Sequence, residues 1–235
     1  MSLVVFVPGA WLGGWSWLPV ARRMEAEGAD VSTPTLPGLT LGDTVAGLGL
    51  DDAISALVDD IDRRDLRDVV LVCHSWGGYP ASGAAHRSSG RVRKVVYYNA
   101  VVPAAGAAMA DENEVYGQLI RQAVAANPDR GVPIDLDSVR NGLMQDESAE
   151  MQKLAYELMV PQPGGYMVDP SEAGPVTGAG VDAAYILGRN DISLARPGAE
   201  FAARLGLDPV IVPGSHMAML TRPDDIAPAI IAACR

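Results

Sequence analysis

The chain has 235 residues, 49% of them hydrophobic, and a formal net charge of -11. That length suits one α/β domain with a full core, and so acidic a balance excludes the clustered Lys and Arg that a nucleic-acid backbone requires. Two cysteines, Cys73 and Cys234, cannot make a disulfide framework, and no Cys/His cluster has zinc-ligand spacing. The N-terminal M-S-L-V-V-F-V-P-G has no positive region and only a five-residue apolar run, too short for a signal peptide or a membrane span. A cytoplasmic protein with no nucleic-acid or membrane partner is expected.

In chain order, short apolar or β-branched runs fall at Leu3 to Val7, Val31 to Thr33, Val69 to Val72, Val92 to Tyr98, Ala183 to Leu187 and Val210 to Val212. Such runs predict six buried parallel strands. Helical patterns at 15–27, 51–63, 76–88, 195–205 and 223–233 alternate with them, the signature of a parallel sheet with helices on both faces. Between the fourth and fifth strands the alternation stops. Residues 103–180 instead hold amphipathic segments near 111–126, 136–143 and 147–159, closed by the turn-rich P-Q-P-G-G-Y. This predicts a helical cap inserted into a single domain whose core is 1–102 and 181–235. No internal repeat is visible.

The stretch V-L-V-C-H-S-W-G-G-Y, 70–79, puts Ser75 between an apolar strand and a helical pattern. A nucleophile elbow reads G-x-S-x-G, with small flanking residues so that strand and helix pack closely; here Cys73 takes the first glycine's place. The competing reading is a serine helix cap. A serine hydroxyl needs a base, and the chain has three histidines. His74 is adjacent and its side chain diverges, fitting a packed core position; His86 lies roughly 16 Å down the helix, at 1.5 Å per residue, as a solvated side chain. His216, in P-G-S-H-M-A-M-L, follows the last strand and so shares the carboxyl edge with the serine.

The acid that orients the imidazole is expected between serine and histidine in chain order. Asp111, Asp129, Asp135, Asp137, Asp146 and Asp169 fall in the cap, and Asp182 and Asp208 precede strands at the opposite edge. Asp191, in A-Y-I-L-G-R-N-D, follows one; its competing reading is an Asx turn. Two N–H donors are then needed for an oxyanion: Trp76, after the serine and at a helix N-terminus, and Ala10, in V-P-G-A-W-L-G-G-W-S-W after the first strand. The glycines of that loop match neither a dinucleotide nor a phosphate-loop pattern.

With these residues in place, the chain resembles the α/β-hydrolase family that includes plant methyl-ester esterases, salicylate-binding esterases and hydroxynitrile lyases. The resemblance rests on V-P-G-A-W-L-G-G-W-S-W, V-L-V-C-H-S-W-G-G, Y-Y-N-A-V-V-P, L-G-R-N-D and G-S-H-M-A-M-L-T-R-P, and covers nearly the whole chain. It implies an α/β-hydrolase fold with a cap over the site, no cofactor and no metal, and acyl transfer from a small-molecule ester, thioester or lactone, with a homodimer left open. Pro8 and Leu12 depart from the histidines of the plant pattern. The lyases carry threonine where this chain has Gly9, and lysine where it has Met217, so hydrolysis is expected rather than cyanide release. The pocket is expected to involve Gly9, Trp11, Tyr116, Met144, Met159 and Met217, with Leu119, Leu143, Leu158 and Tyr166 as further apolar candidates. A cofactor-free lyase or oxygenase, or a ligand-binding receptor, is the alternative on the same fold.

Overall fold

The computed structural model describes residues 3–88, 90–127, 129 and 131–235. Six strands, β1 (Val4–Val7), β2 (Val31–Ser32), β3 (Val69–Ser75), β4 (Val92–Ala100), β5 (Asp182–Gly188) and β6 (Val210–Val212), form one sheet in the order β2-β1-β3-β4-β5-β6, with every neighbouring pair parallel. The chain winds outward from β1 to β2, then returns to β3 and winds the other way. The connections after β1 and β3 therefore diverge, opening a crevice at the carboxyl edge of the sheet.

Strand side chains alternate between two cores, as a period of two requires. Val5, Val7, Leu71, Cys73, Val95 and Tyr97 face α2 (Leu50–Arg63), α3 (Gly78–Arg87) and α8 (Gly198–Arg204). Val4, Phe6, Val70, Val72, Val96 and Tyr98 face α1 (Leu18–Ala26) and α10 (Pro223–Ala233). Both faces of the central strands β1, β3 and β4 are covered, so these are mainly apolar; the edge strands, expected to be buried, are not, β2 being half-buried and β6 exposed at Val210 and Ile211. Pro19 and Pro223 stand in the first turns of α1 and α10, where no intrahelical N–H is lost. At the head of α2, Asp52 accepts from the Gly49 N–H (2.8 Å) and Asp169 from the Leu50 N–H (3.0 Å).

Between β4 and β5 lie α4 (Glu114–Ala126), α5 (Leu136–Ser138) running into a π-helical turn at Val139–Leu143, α6 (Ala149–Leu158) and α7 (Gly164–Val168). Side chains of Asn113, Asp135 and Ser148 cap α4, α5 and α6. The P-Q-P-G-G-Y stretch, expected as a turn, leads into α7. Its glycines make the short helix fit: a Cβ on Gly164 would press on Val124 and one on Gly165 would collide with the Leu48 carbonyl. The start of this insertion is pinned to the sheet domain by Glu112. Its buried carboxylate accepts from both terminal nitrogens of Arg204 (2.7 and 2.8 Å), from Arg196 (3.0 Å) and from Tyr79 (3.3 Å). Among the described residues no helix is long and apolar enough to cross a membrane.

Candidate active site

Ser75 ends β3 with φ 54°, in the left-handed region. A non-glycine residue held there stores strain, which persists only where the surroundings over-determine it. The Gly77 N–H closes the turn onto the His74 carbonyl (2.8 Å), and α3 begins at the next residue. Side chains are excluded at both glycines: a Cβ on Gly77 would meet the Pro8 carbonyl at 2.5 Å, and one on Gly78 would collide with that of Val101. The helix start thus packs directly on the ends of β1 and β4. Cys73, where a glycine was the pattern, is fully buried with its Sγ 3.6 Å from the Val96 carbonyl, and burial pushes its thiol well above the ordinary range. It is a protonated filler.

His216 lies between β6 and α9 (Ala218–Thr221). Its Nδ1 is 2.9 Å from Asp191 Oδ2, and the two side chains are 3% and 0% exposed. The other carboxylate oxygen accepts from the Ser193 N–H (2.8 Å), and the Asp191 N–H donates to the Gly188 carbonyl (3.0 Å). The Asx turn and the histidine contact, alternatives in the sequence, therefore coexist on two oxygens of one side chain. With Nδ1–H donating to the carboxylate, Nε2 is the basic nitrogen of the ring.

Two residues without an assigned role in the sequence tie this edge together. Asn99, in Y-Y-N-A at φ 43°, is fully buried; its Nδ2 donates to the carbonyls of Ser215 (3.2 Å) and His216 (3.1 Å), while its Oδ1 accepts from the Gly188 N–H (2.6 Å). One amide thus bridges the loops that carry Asp191 and His216. His74 donates from Nε2 to the His216 carbonyl (3.0 Å), with ring centroids 4.6 Å apart. Burial first, and then the His216 charge, hold His74 well below the usual histidine range, so it is neutral. A polar side chain in an otherwise apolar strand end was the sequence signal for both. His86 is exposed on α3, beside the Gly174 carbonyl.

After β1 the chain turns at Gly9–Leu12, with Trp11 at φ 64°. Gly9 is required there, because a Cβ would lie 2.6 Å from His74 Nδ1 and 3.0 Å from Ser75 Cβ. The Trp11 N–H is engaged by Gln162 Oε1 (2.8 Å), whereas the N–H groups of Ala10 and Trp76 have no protein acceptor among the described residues.

Ala10, Trp11, Ser75, Trp76 and His216 line one cavity of about 400 Å³. Its wall also includes Tyr116 and Leu143, the apolar Met109, Ile134 and Met167, and the polar Asn113, Ser138, Asn141 and Ser193. Gly9, Met144, Met159 and Met217, expected at the pocket, do not border it. Gly9 backs onto His74, Met144 and Met217 are buried in the α1/α10 core, and the half-buried Met159 packs against both cores. The π-helical turn explains the slip at Met144: its wider turn shifts the helical phase, so Leu143 faces the cavity and Met144 turns inward. Tyr166 stacks on Trp76 at 4.8 Å between centroids, and Leu119 and Leu158 are exposed.

A strained strand-end serine that shares one cavity with a carboxylate-held histidine, at the carboxyl edge of a parallel sheet, fits a hydrolase domain. The model of the alpha/beta hydrolase family matches residues 4–229, and the chain belongs to that family. It is 36% identical over 108 residues to the carbendazim hydrolyzing esterase of Nocardioides sp. (strain SG-4G), a match spanning 45% of this chain and 45% of that protein. The chain thus covers less than half of that relative's length in the match. Its fold is similar to an extracellular alpha/beta-hydrolase of a Paenibacillus species described as sharing structural and functional homology with tobacco salicylic acid binding protein 2 (TM-score 0.91, 19% identity, 99% of each chain). It is also similar to the methylesterase MES16 of Arabidopsis (TM-score 0.78, 20% identity, 99% of this chain and 98% of the other).

Proposed function

We propose that the protein is a serine hydrolase that cleaves a small, uncharged carboxylic ester, thioester or lactone through an acyl-enzyme. The observation that carries this reading is the buried Asp191–His216 pair at 2.9 Å, which shares one cavity with Ser75. His216 Nε2 takes the Ser75 proton as the hydroxyl attacks the carbonyl, and Asp191 holds the ring and stabilises its cationic form. The unengaged N–H groups of Ala10 and Trp76 receive the oxyanion. The imidazolium then protonates the leaving alcohol, and water, activated by the same base, releases the acid. No cofactor enters this sequence.

The β4–β5 insertion, residues 103–180, acts as the cap and selects the substrate. Among the described residues no Asp, Glu, Lys or Arg lines the cavity, which favours neutral esters and leaves no cation there to stabilise departing cyanide. The name of the Nocardioides relative supports ester cleavage. Two free cysteines fit a reducing, cytoplasmic setting. The test is hydrolysis of p-nitrophenyl and aryl methyl esters by the wild type and by Ser75→Ala, with intact mass after a serine-directed phosphonate. Turnover and a single adduct are expected in the wild type, with kcat lower by about 10⁴-fold or more and no adduct in the variant. A wild type that neither turns over nor labels overturns the reading.

A further inference from the structure

Gln162 has no exposed surface and sits in the cap, far in sequence from the serine and histidine loops. Its backbone pairs with Val132 in an isolated antiparallel bridge, Val132 N–H to Gln162 carbonyl at 2.8 Å and the reverse at 2.9 Å. Trp11 docks onto this bridge through three hydrogen bonds: indole Nε1–H to the Val132 carbonyl (2.9 Å), carbonyl from the Val160 N–H (3.2 Å), and backbone N–H to Gln162 Oε1 (2.8 Å). These bonds hold a left-handed tryptophan that a free chain would abandon.

The Gln162 side chain is used by one end only. Its Nε2 is buried with no protein partner among the described residues, which costs stability, while its Oε1 has a task in accepting from the Trp11 N–H. That task is visible in the turn. Of two successive N–H groups, Gln162 removes Trp11's from circulation and leaves Ala10's unengaged beside Ser75.

We infer that Gln162 is a positioning residue that fixes which N–H of the β1 loop receives the oxyanion, and so couples cap docking to the chemical step. The inference rests on the hydrolase reading above. Gln162→Met removes the acceptor at similar volume, and Gln162→Glu keeps an oxygen at the same reach. For Gln162→Met, kcat on a p-nitrophenyl ester should fall about 10- to 100-fold, less than the loss of a whole oxyanion donor. KM should stay within about twofold, affinity for an aryl boronate should fall in step with kcat, and affinity for a neutral amide inhibitor should be unchanged. Gln162→Glu should recover most of the lost kcat.

Hydrogen exchange at the Trp11 amide, read in the same samples, reports the bond without turnover. Faster exchange in Gln162→Met with lower boronate affinity supports the inference. Unchanged exchange, wild-type boronate affinity, a parallel loss of amide binding, or a Glu variant no better than Met overturns it. A wild type inert toward esters, with the exchange difference intact, instead sinks the hydrolase reading and leaves the hydrogen bond standing.

Discussion

The two halves of the site are built by different means. On the sheet side, Ser75, Asp191 and His216 each stand at or just past a strand whose register is set by a parallel ladder, and Asn99 and His74 cross-tie the loops. On the cap side, short helices are attached by separate polar pins. These include Glu112 to Arg204, the Trp11 bonds to Val132, Val160 and Gln162, Gln145 Nε2 to the Asn190 carbonyl (2.6 Å) and the Met217 N–H to the Leu143 carbonyl (3.2 Å). Ser75, Asp191 and His216 are held by strand register together with side-chain cross-ties, whereas the β4–β5 insertion is joined to the sheet domain by separate bonds, several of them through side chains that can be exchanged. On the proposed mechanism, substitutions on the first side should therefore change kcat and substitutions in the cavity wall of the second mainly KM, with Gln162, which acts through the β1 loop, the exception.

The sharpest break in that contrast is Asp191→Asn. It keeps the shape while removing the charge that selects the histidine tautomer, so kcat should fall about 10⁴-fold with KM little changed, as steady-state kinetics would show. A large KM effect would argue that the carboxylate serves the fold alone. A smaller effect concerns His74. Its folded-state pKa lies below the unfolded value, so its contribution is fully present above about pH 6.5 and is lost as pH falls from there toward the folded value. Chemical denaturation should show wild-type stability falling more steeply than that of His74→Gln as pH drops from 7 to 5, by at most about 1.4 kcal/mol per pH unit below the unfolded value near 6.5. Equal slopes would mean that His74 is not held neutral. The smallest expected effect is on the cap. Tyr116→Ala should raise KM for bulky aryl esters by about threefold to tenfold while leaving kcat near the wild type, the scale of a lost apolar contact; a kcat loss as large as that of Asp191→Asn would erase the distinction.

The same division governs how much could be read in advance. The six strands, their parallel sense and the elimination of His74 and His86 followed from periodicity and chain order, because ladder geometry turns local pattern into position. Boundaries moved by only a few residues, β3 running on to Ser75 and β2 stopping at Ser32. Pocket residues were harder. Leu143 and Met144 are neighbours of the same chemical type, and a π-helical turn, invisible to a 3.6-residue period, decides which of them faces the cavity. Asn99 and Gln162 escaped because their partners are backbone atoms in distant loops, and a side chain's reach across the fold leaves no mark on its own neighbours in sequence.

The site also draws its parts from widely separated stretches of chain: Ala10 beyond β1, Ser75 at the end of β3, Asp191 beyond β5 and His216 beyond β6. On the proposed mechanism, a nascent or prematurely terminated polypeptide that stops short of residue 216 carries Ser75 without His216, the base that would arm it. Assembly order thereby acts as a safety catch. On that mechanism, fragments left by a stalled ribosome or a protease cut between the strands should be inert, with reactivity toward esters expected only from the finished sheet.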